Sequence, residues 1–439
     1  MSFEISPENI RRHISFLTDR IGVRVPGSDA EKRAAEYMRQ CFSESVPLCR
    51  TEDFPVIEQC VSMEKLSVRI HGEWSEFPCL LFTGSAATGG KPVSSDLIFF
   101  DGHTDYQRAD LSFLSGKAVI HYGAHVMEEE NYRRLMAARP AFLLMVDTRH
   151  PGPYPVADGL FPQFVEKYGS VPTAGVAFYD VWRWMTESAD RAVLTVDSDR
   201  RPGISRNVIA EIPGADRKCI YVGAHHDTAP KSVGADDNAV GCAMLLELAR
   251  ILARKPHKHS IRLISFGSEE ILSVGSASYV RRHRREVEQD GIFMLNFDSC
   301  GTAVGWNYFI LSAGDSVCRR VREICREHDV YYQESREPEP FQDMFPFSAA
   351  GLPGLAFERG NNETGLFYHH RFDNTADKIS AEIVASLATA AAAIICELAD
   401  GDPAWCSPCT DARHKEYIRS SWENVFGGWD LPSGAEEPI

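Results

Sequence analysis

The sequence predicts an α/β fold: a three-layer α/β/α sandwich with a mostly parallel central sheet, split by an inserted β-rich domain. Three observations predict it. From about residue 202 onward, strand-like and helix-like runs alternate, which is the pattern of a sheet whose strands are joined by helical crossovers. Between about 65 and 200 the texture changes to short strand-like pieces separated by Gly- and Pro-rich turns. The 439 residues also exceed one ordinary core, since single domains run to roughly 100–200 residues, so more than one domain is expected.

The chain opens with two amphipathic helices. Ile10, Ile14, Leu17 and Ile21 recur at helical spacing, and in "SDAEKRAAEYMRQCF" Ser28 and Glu31 stand at the capping-box interval. The insertion reads as "LSVRI", "DLIFF", "GKAVIHY", "AFLLMV" and "AVLTV", with helices only near 130–138 and 180–187. The sandwich then continues through strands "NVIAEI" and "CIYVGA", a helix over 238–254, strand "IRLISFG" and a helix over 275–289. Strand "IFMLNF", a helix over 315–328, strand "GLAFE" and a helix over 379–398 complete it. The expected division is therefore a split body of residues 1–64 and 201–399, an insertion of 65–200, and a tail of 400–439. Trp405, Trp422 and Trp429, set in a tail with little periodicity, suggest packing either on the body or on a second subunit, the latter arrangement giving a homodimer. No internal repeat or low-complexity tract interrupts this scheme.

Composition narrows the partners. Lys and Arg number 46 against 62 Asp and Glu, a formal charge of −16 that would repel a phosphate backbone or an anionic membrane, so neither nucleic acid nor membrane is expected. The one basic run, "RRHRR" at 281–285, reads as the solvated face of a helix. The N-terminal stretch lacks the pattern of a signal peptide or anchor, and the longest apolar run, "IVASLATAAAAIICEL" at 383–398, reads as a buried helix. Twelve scattered cysteines without a small-domain framework suit a reducing, cytoplasmic setting, and the lone Cys406/Cys409 pair reads as packing.

The chemistry concentrates at strand ends. In "VGAHHDTAPKSVGADDNAVG" an H-x-D pair, His225 and Asp227, closes an apolar strand, as a metal ligand and the carboxylate that orients its imidazole would. Asp236 and Asp237 follow. The next strand leads into "GSEE", where one of Glu269 and Glu270 could bind metal while its neighbour serves as a general base. A third strand ends at Asp298, and "LFYHHRFDN" brings His369 and His370 before the last helix. Acids converging at strand ends repel one another by several kcal/mol unless cations neutralise them, so two divalent metals are implied. Nitrogen and oxygen donors without cysteine favour two Zn²⁺, with Mn²⁺ or Co²⁺ as alternatives. A second H-x-D pair, His103 and Asp105 in the insertion, has no acids following it and reads as a loop.

Through "GAHHD", "GADDNAVG", "FGSEEILSVGS", "LNFDSCG" and "YHHRFDNTADKI", taken in order, the chain resembles the co-catalytic di-zinc aminopeptidases of the Streptomyces and Aeromonas type, in clan MH. The opening "LTDRIGVRVPGSDAEKRAAEYMRQ" and "RNVIAEIPG" extend the likeness, while "LSGKAVIHYG", "AFLLMVD" and "VPTAGVAF" resemble a protease-associated domain. The resemblance implies that Asp237 bridges two metals, one shared with His225 and Asp298, the other with Glu270 and His369. It favours Asp237 over Asp236 and His369 over His370, makes Glu269 the general base and Asp227 the orienter of His225, and gives Tyr368 to the oxyanion. Val240 replaces a common serine and Met344 a usual histidine, departures that bear on substrate positioning; Asp343 beside the latter reads as a substrate-binding residue or a turn cap.

The implied reaction is hydrolysis of the N-terminal peptide bond of a peptide. Deacylases and carboxypeptidases of the related di-zinc type carry an extra domain between the glutamate pair and the last histidine, and the intervals here are too short for one. A glutaminyl cyclase on the same scaffold is a further alternative. A metal-free, receptor-like interaction protein is the alternative outside enzymes, disfavoured because every ligand type and the base remain.

Overall fold

Apolar runs at period two and at helical spacing assemble around a single sheet in the computed structural model, which describes residues 3–149, 151–361, 366–409 and 411–430. The first part comprises α1 (Pro7–Ser15), α2 (Asp29–Ser45), β1 (Leu48–Ile70), β2 (Glu73–Phe77) and β3 (Cys79–Leu81). The middle holds β4 (Val93–Asp101), β5 (Ala118–Tyr122), α3 (Glu129–Ala138), β6 (Phe142–Val146), α4 (Pro162–Tyr168), β7 (Thr173–Val176) and α5 (Phe178–Thr186). Next come β8 (Arg191–Ile212), β9 (Cys219–His225), α6 (Val240–Leu252), β10 (Ser260–Phe266), α7 (Val274–Arg282), α8 (Arg284–Asp290) and β11 (Gly291–Phe297). The chain continues with β12 (Trp306–Ser312), α9 (Asp315–Glu327), β13 (Gln333–Ser335), α10 (Phe345–Ala349), β14 (Gly354–Gly360), α11 (Ala381–Asp400) and α12 (Ala412–Asn424).

The sheet runs β13-β12-β14-β11-β9-β10-β8-β4-β5-β6-β7-β3, with β1 paired to β8 and β2. At its centre β14, β11, β9 and β10 are mutually parallel, flanked by antiparallel β12 and β8. Their side chains are buried on both faces, which explains near-continuous apolar runs instead of alternation. One face carries α1, α2, α6, α9 and α11 over a large core that includes Leu245, Leu295 and Ile395; the other carries α7, α8 and α10 around Tyr279, Val287 and Phe347. The apolar α11 has the length and composition to cross a membrane, but it lies against α1, α6 and α9 with Leu387, Ala391 and Ile395 buried.

Several elements differ from the sequence reading. "LSVRI" belongs to β1, and "AVLTV" and "NVIAEI" are the two ends of β8; these strands of 23 and 22 residues pair antiparallel from Leu48↔Glu211 to Arg69↔Arg191. Residues 64–65 and 200–201 thus lie inside continuous strands. Charged residues with both faces partly exposed hide the middle of this ribbon, and Pro202 reads as a stop where it is part of the pairing. The insertion also holds a largely parallel sheet, β4 to β7, and a third helix, α4, which Pro162 at its first turn initiates.

The helix expected over 275–289 is two helices broken at His283, whose ring is held by Glu52 at 2.9 Å. The "RRHRR" run is a solvated face only in part: Arg284 and Arg285 are exposed, but the run also makes specific contacts. Arg281 donates to the carbonyls of Phe426 (2.6 Å) and Gly428 (2.8 Å) and covers the Trp422 ring, Arg284 covers Trp429, and Arg282 reaches Glu52. The run is a clamp on the tail, whose Ile418, Trp422 and Phe426 pack against Ala277 and Phe345 of the body.

Candidate metal centre

Because β9, β10 and β11 are parallel and in register, with Phe266 beside His225 and Asn296 beside Gly223, their C-terminal ends coincide. Residues far apart in sequence therefore meet there. His225 closes β9; its Nε2 lies 3.1 Å from Asp237 Oδ1 and 3.5 Å from Asp298 Oδ1, the latter just past β11. Asp237 Oδ2 lies 3.5 Å from His369 Nδ1 and 3.6 Å from His370 Nε2, and Glu270 Oε2 lies 2.7 Å from His370 Nε2. Donor atoms of His225, Asp237 and Glu270 lie within 4.8 Å of one another, as do those of Asp237, His369 and His370.

The backbone around these side chains is tied down by buried polar groups. Asp227 Oδ1 lies 3.4 Å from His225 Nδ1, and its carboxylate accepts the N–H groups of Glu269 (3.0 Å) and Glu270 (3.1 Å). It joins the histidine and the glutamate pair in one unit. Glu270 Oε1 accepts from the Ala229 N–H at 2.6 Å, and Glu269 Oε1 from Ser273 Oγ at 3.0 Å. His226, next to His225, turns instead to Ser265 Oγ at 2.9 Å, and burial pulls its ring down to about 3.

Of the adjacent aspartates, Asp236 serves the scaffold. Its N–H donates to Asn374 Oδ1 at 2.7 Å and its Oδ1 accepts from Gly301 N–H at 2.8 Å, tying the loops around Asp298 and His369 together. Asn238 donates to the Phe297 carbonyl (2.7 Å) and accepts from Gly241 N–H (2.9 Å), seating the start of α6 on β11.

Sequence reasoning missed several members. Arg24, fully buried, donates to the carbonyls of His226 (2.7 Å), Val233 (2.8 Å), Gly22 (2.8 Å) and Gly234 (3.2 Å), shaping the loop between His225 and Asp237. Glu31 is only half of a capping box: Ser28 Oγ accepts from its N–H, but its carboxylate accepts from Gly27 N–H, Ser205 Oγ and both Ser268 donors, next to Glu269. Arg24 carried no spacing signal, and the capping-box interval of Glu31 pointed only to Ser28, because the groups that bind them at the site, such as the His226 carbonyl and Ser268, are distant in sequence. Of the other expected residues, Tyr368 packs on Phe367 and near Arg371 and Lys378, while Asp343 is fully buried behind the site, close enough for its charge to act on Glu269 and for His225 and Asp298 to act on it.

The electrostatics describe an acid excess. Burial pushes Glu269 well up and Glu270 to about 7, and their carboxylate neighbours add to it. Burial also raises Asp298. Burial would lower His225, yet Asp298, Asp227 and Asp237 hold it well above the usual histidine range; Glu270 and other acids likewise lift His370 to about 10. Protons on histidines are here the counter-charge to a field of carboxylates. A divalent cation offers the same counter-charge without the proton. The donor set fits one: oxygen and nitrogen atoms converge, and neither nitrogen of the buried His225 ring makes a well-formed hydrogen bond.

A cleft of about 1520 Å³ opens over these residues, lined by Glu269, Glu270, Asp298 and His369 from the core, His125, Asp158 and Leu160 from the insertion, and Phe426 from the tail. His125 stacks between Phe161 of the insertion and Phe341 of the core, so the two parts meet across its rim.

Residues 207–395 match the profile of Peptidase family M28. Aminopeptidase YwaD of Bacillus subtilis is 23% identical over 385 residues, spanning 84% of this chain and 80% of that protein. The structure of BSAP, a zinc aminopeptidase from Bacillus subtilis, superimposes with a TM-score of 0.73 at 20% identity over 93% of this chain and 99% of that one. That of the aminopeptidase from Aneurinibacillus sp. strain AM-1 gives 0.69 at 21%, over 93% and 96%.

Proposed function

We propose, from the premise that this chain is a metallopeptidase with the M28 core and of the zinc-aminopeptidase type, that it removes the N-terminal residue of peptides using two zinc ions and Glu269 as general base. The convergence of His225, Asp237, Glu270 and Asp298 at the ends of parallel strands carries the reading. In it, His225 and Asp298 would hold one ion and Glu270 and His369 the other, with Asp237 available to both. Zinc, when bound, supplies a Lewis acid for the scissile carbonyl and an acidified water.

The chain's own residues then divide the work. Glu269 has Oε1 engaged by Ser273, leaving Oε2 to take a proton from the attacking water and return it to the leaving amine. The burial that raises Glu269 suits a carboxylate that must hold that proton between the two transfers. Asp227 keeps Glu269 and Glu270 in place through their N–H groups and orients the His225 ring. The insertion, residues 65–200, acts as a roof: His125, Asp158 and Leu160 narrow the approach, which favours short or unfolded peptides.

The test pairs zinc content by elemental analysis with hydrolysis of an aminoacyl-arylamide panel by wild type and Glu269→Gln. The reading expects about two zinc ions per chain in both, and a fall of about 10²–10⁴-fold in kcat/KM for the variant. Zinc bound with N-acyl amino acids cleaved and arylamides untouched would replace it by a deacylase.

A further inference from the structure

The cleft extends past the metal-binding residues onto the face of β12, β13 and β14. There Glu358 of β14 stands directly opposite Tyr308 of β12, which in turn faces Gln333 of β13; one step along, Trp306 is opposite Gly360. Glycine is required at 360, since a Cβ would meet the Trp306 indole at 2.9 Å. The indole therefore lies over Gly360, two residues along β14 from Glu358, and lines the same cleft. Two backbone bonds lace this position to the metal-binding loop: Asp298 N–H donates to the Phe357 carbonyl (3.1 Å) and Arg359 N–H to that of Ser299 (3.0 Å).

Glu358 is hydrogen-bonded but has no described cation beside it. Burial, with the fields of Asp298 and Glu339, pushes its carboxyl well above the usual carboxylate range, a shift that an arriving cation would reverse. Gln342 Nε2 donates to Oε1 at 2.6 Å, and Asn296 Nδ2 holds Gln342 at 2.7 Å, while among the described residues only acids, and no cation, act on the carboxyl. The arginine beside it, Arg359, points to the other face and is spent on Thr302, Gly305 and Asn307. A second carboxylate lining the same space, Glu339, also lacks an ion pair among the described residues and lies within the field of Glu358. Elsewhere in the cleft the chain behaves differently, for Asp158 is paired with both Arg149 and His125.

We infer that this space is the pocket for the N-terminal side chain of the substrate and that Glu358 selects a basic one, lysine or arginine. This deepens the aminopeptidase reading and rests on it. A lysyl or arginyl side chain brings an aliphatic stem for the Tyr308 and Trp306 rings and a cation for Glu358. The free α-amine is a point charge and would leave the aromatic wall unused. A net charge of −16 steers such cationic peptides toward the cleft.

Two measurements on the zinc-loaded protein test it. On lysyl-, arginyl-, leucyl- and alanyl-arylamides, wild type should favour the basic pair by about tenfold or more in kcat/KM, a preference that Glu358→Gln erases while leucyl hydrolysis stays within about threefold. Tyr308→Ala should lower the basic pair by about threefold to tenfold and serves if Glu358→Gln misfolds. Calorimetric binding of lysinamide against norleucinamide to Glu269→Gln separates this inference from the reaction itself. Tighter lysinamide binding that disappears in Glu269→Gln/Glu358→Gln supports the pocket even if no arylamide is cleaved, a result that would count against the aminopeptidase reading alone. Equal binding of the two amides, or an equal loss on all four arylamides, overturns the pocket.

Discussion

Two parallel-sheet strands in this molecule lead into the same pattern, His-x-Asp, with opposite outcomes. After β4, His103 and Asp105 form a self-contained turn: Asp101 accepts from His103 N–H (2.8 Å) and Thr104 Oγ1 (2.7 Å), Asp105 accepts from Asp101 N–H (2.9 Å) and Arg108 Nε (2.7 Å), and His103 is exposed. After β9, His225 and Asp227 are buried, and the strands on either side end in Glu269, Glu270 and Asp298. In the insertion the buried acids near the cleft meet a cation, as Asp147 and Asp158 meet Arg149. In the core, acid meets acid. A motif becomes a metal-binding arrangement when its neighbours in space leave its charge uncompensated, and the neighbours are chosen by sheet order, not by the motif.

The largest effect that would sharpen this contrast is expected from Asp227→Asn, which swaps a carboxylate that accepts two N–H groups for an amide that clashes with one. Zinc affinity, read by chelator competition, should weaken by about 10–100-fold, with kcat/KM falling in step. An unchanged affinity would reduce Asp227 to a turn residue like Asp105.

An intermediate effect concerns pH. Burial, with Asp227 nearby, raises Glu31 from its ordinary 4.5 to about 8, so the folded chain holds a proton there that the unfolded chain has released. Its stabilising share is complete below about 4.5 and is lost as pH rises through about 8. Glu31→Gln should flatten this part of the profile: urea midpoints at pH 5 and pH 8 should lie closer together than in wild type, although the lost acceptor for Gly27 N–H lowers both. An unaltered pH slope would mean that Glu31 is ionised throughout.

The smallest effect belongs to the insertion. His103→Ala should leave zinc content unchanged and kcat/KM within about twofold, with stability within about 0.5 kcal/mol, as for an exposed side chain outside any network. A loss of zinc would break the comparison outright.

The core strands were legible because burial on both faces makes them continuous apolar runs, and the candidate ligands because they stand where those runs stop. The β1–β8 ribbon was not, since its solvated middle carries no period. The role of "RRHRR" was equally hidden: cation–π and carbonyl contacts depend on where Trp422, Trp429 and Phe426 arrive, and the tail has no pattern to announce it.

By itself, then, the sequence determined the sandwich class, the acid-rich strand ends and the residue types able to hold a metal, because these follow from local apolar period and composition. Only the tertiary structure decided which members face one another: that Asp236 braces Gly301 while Asp237 meets His225, that Arg24 and Glu31 stand behind the loops, and that Glu358 opens onto the cleft beside Asp298. The physical reason is one of distance along the chain. Hydrogen bonds and Coulomb fields act over a few ångströms in space, and parallel strand order brings together residues whose separation in sequence carries no trace of it.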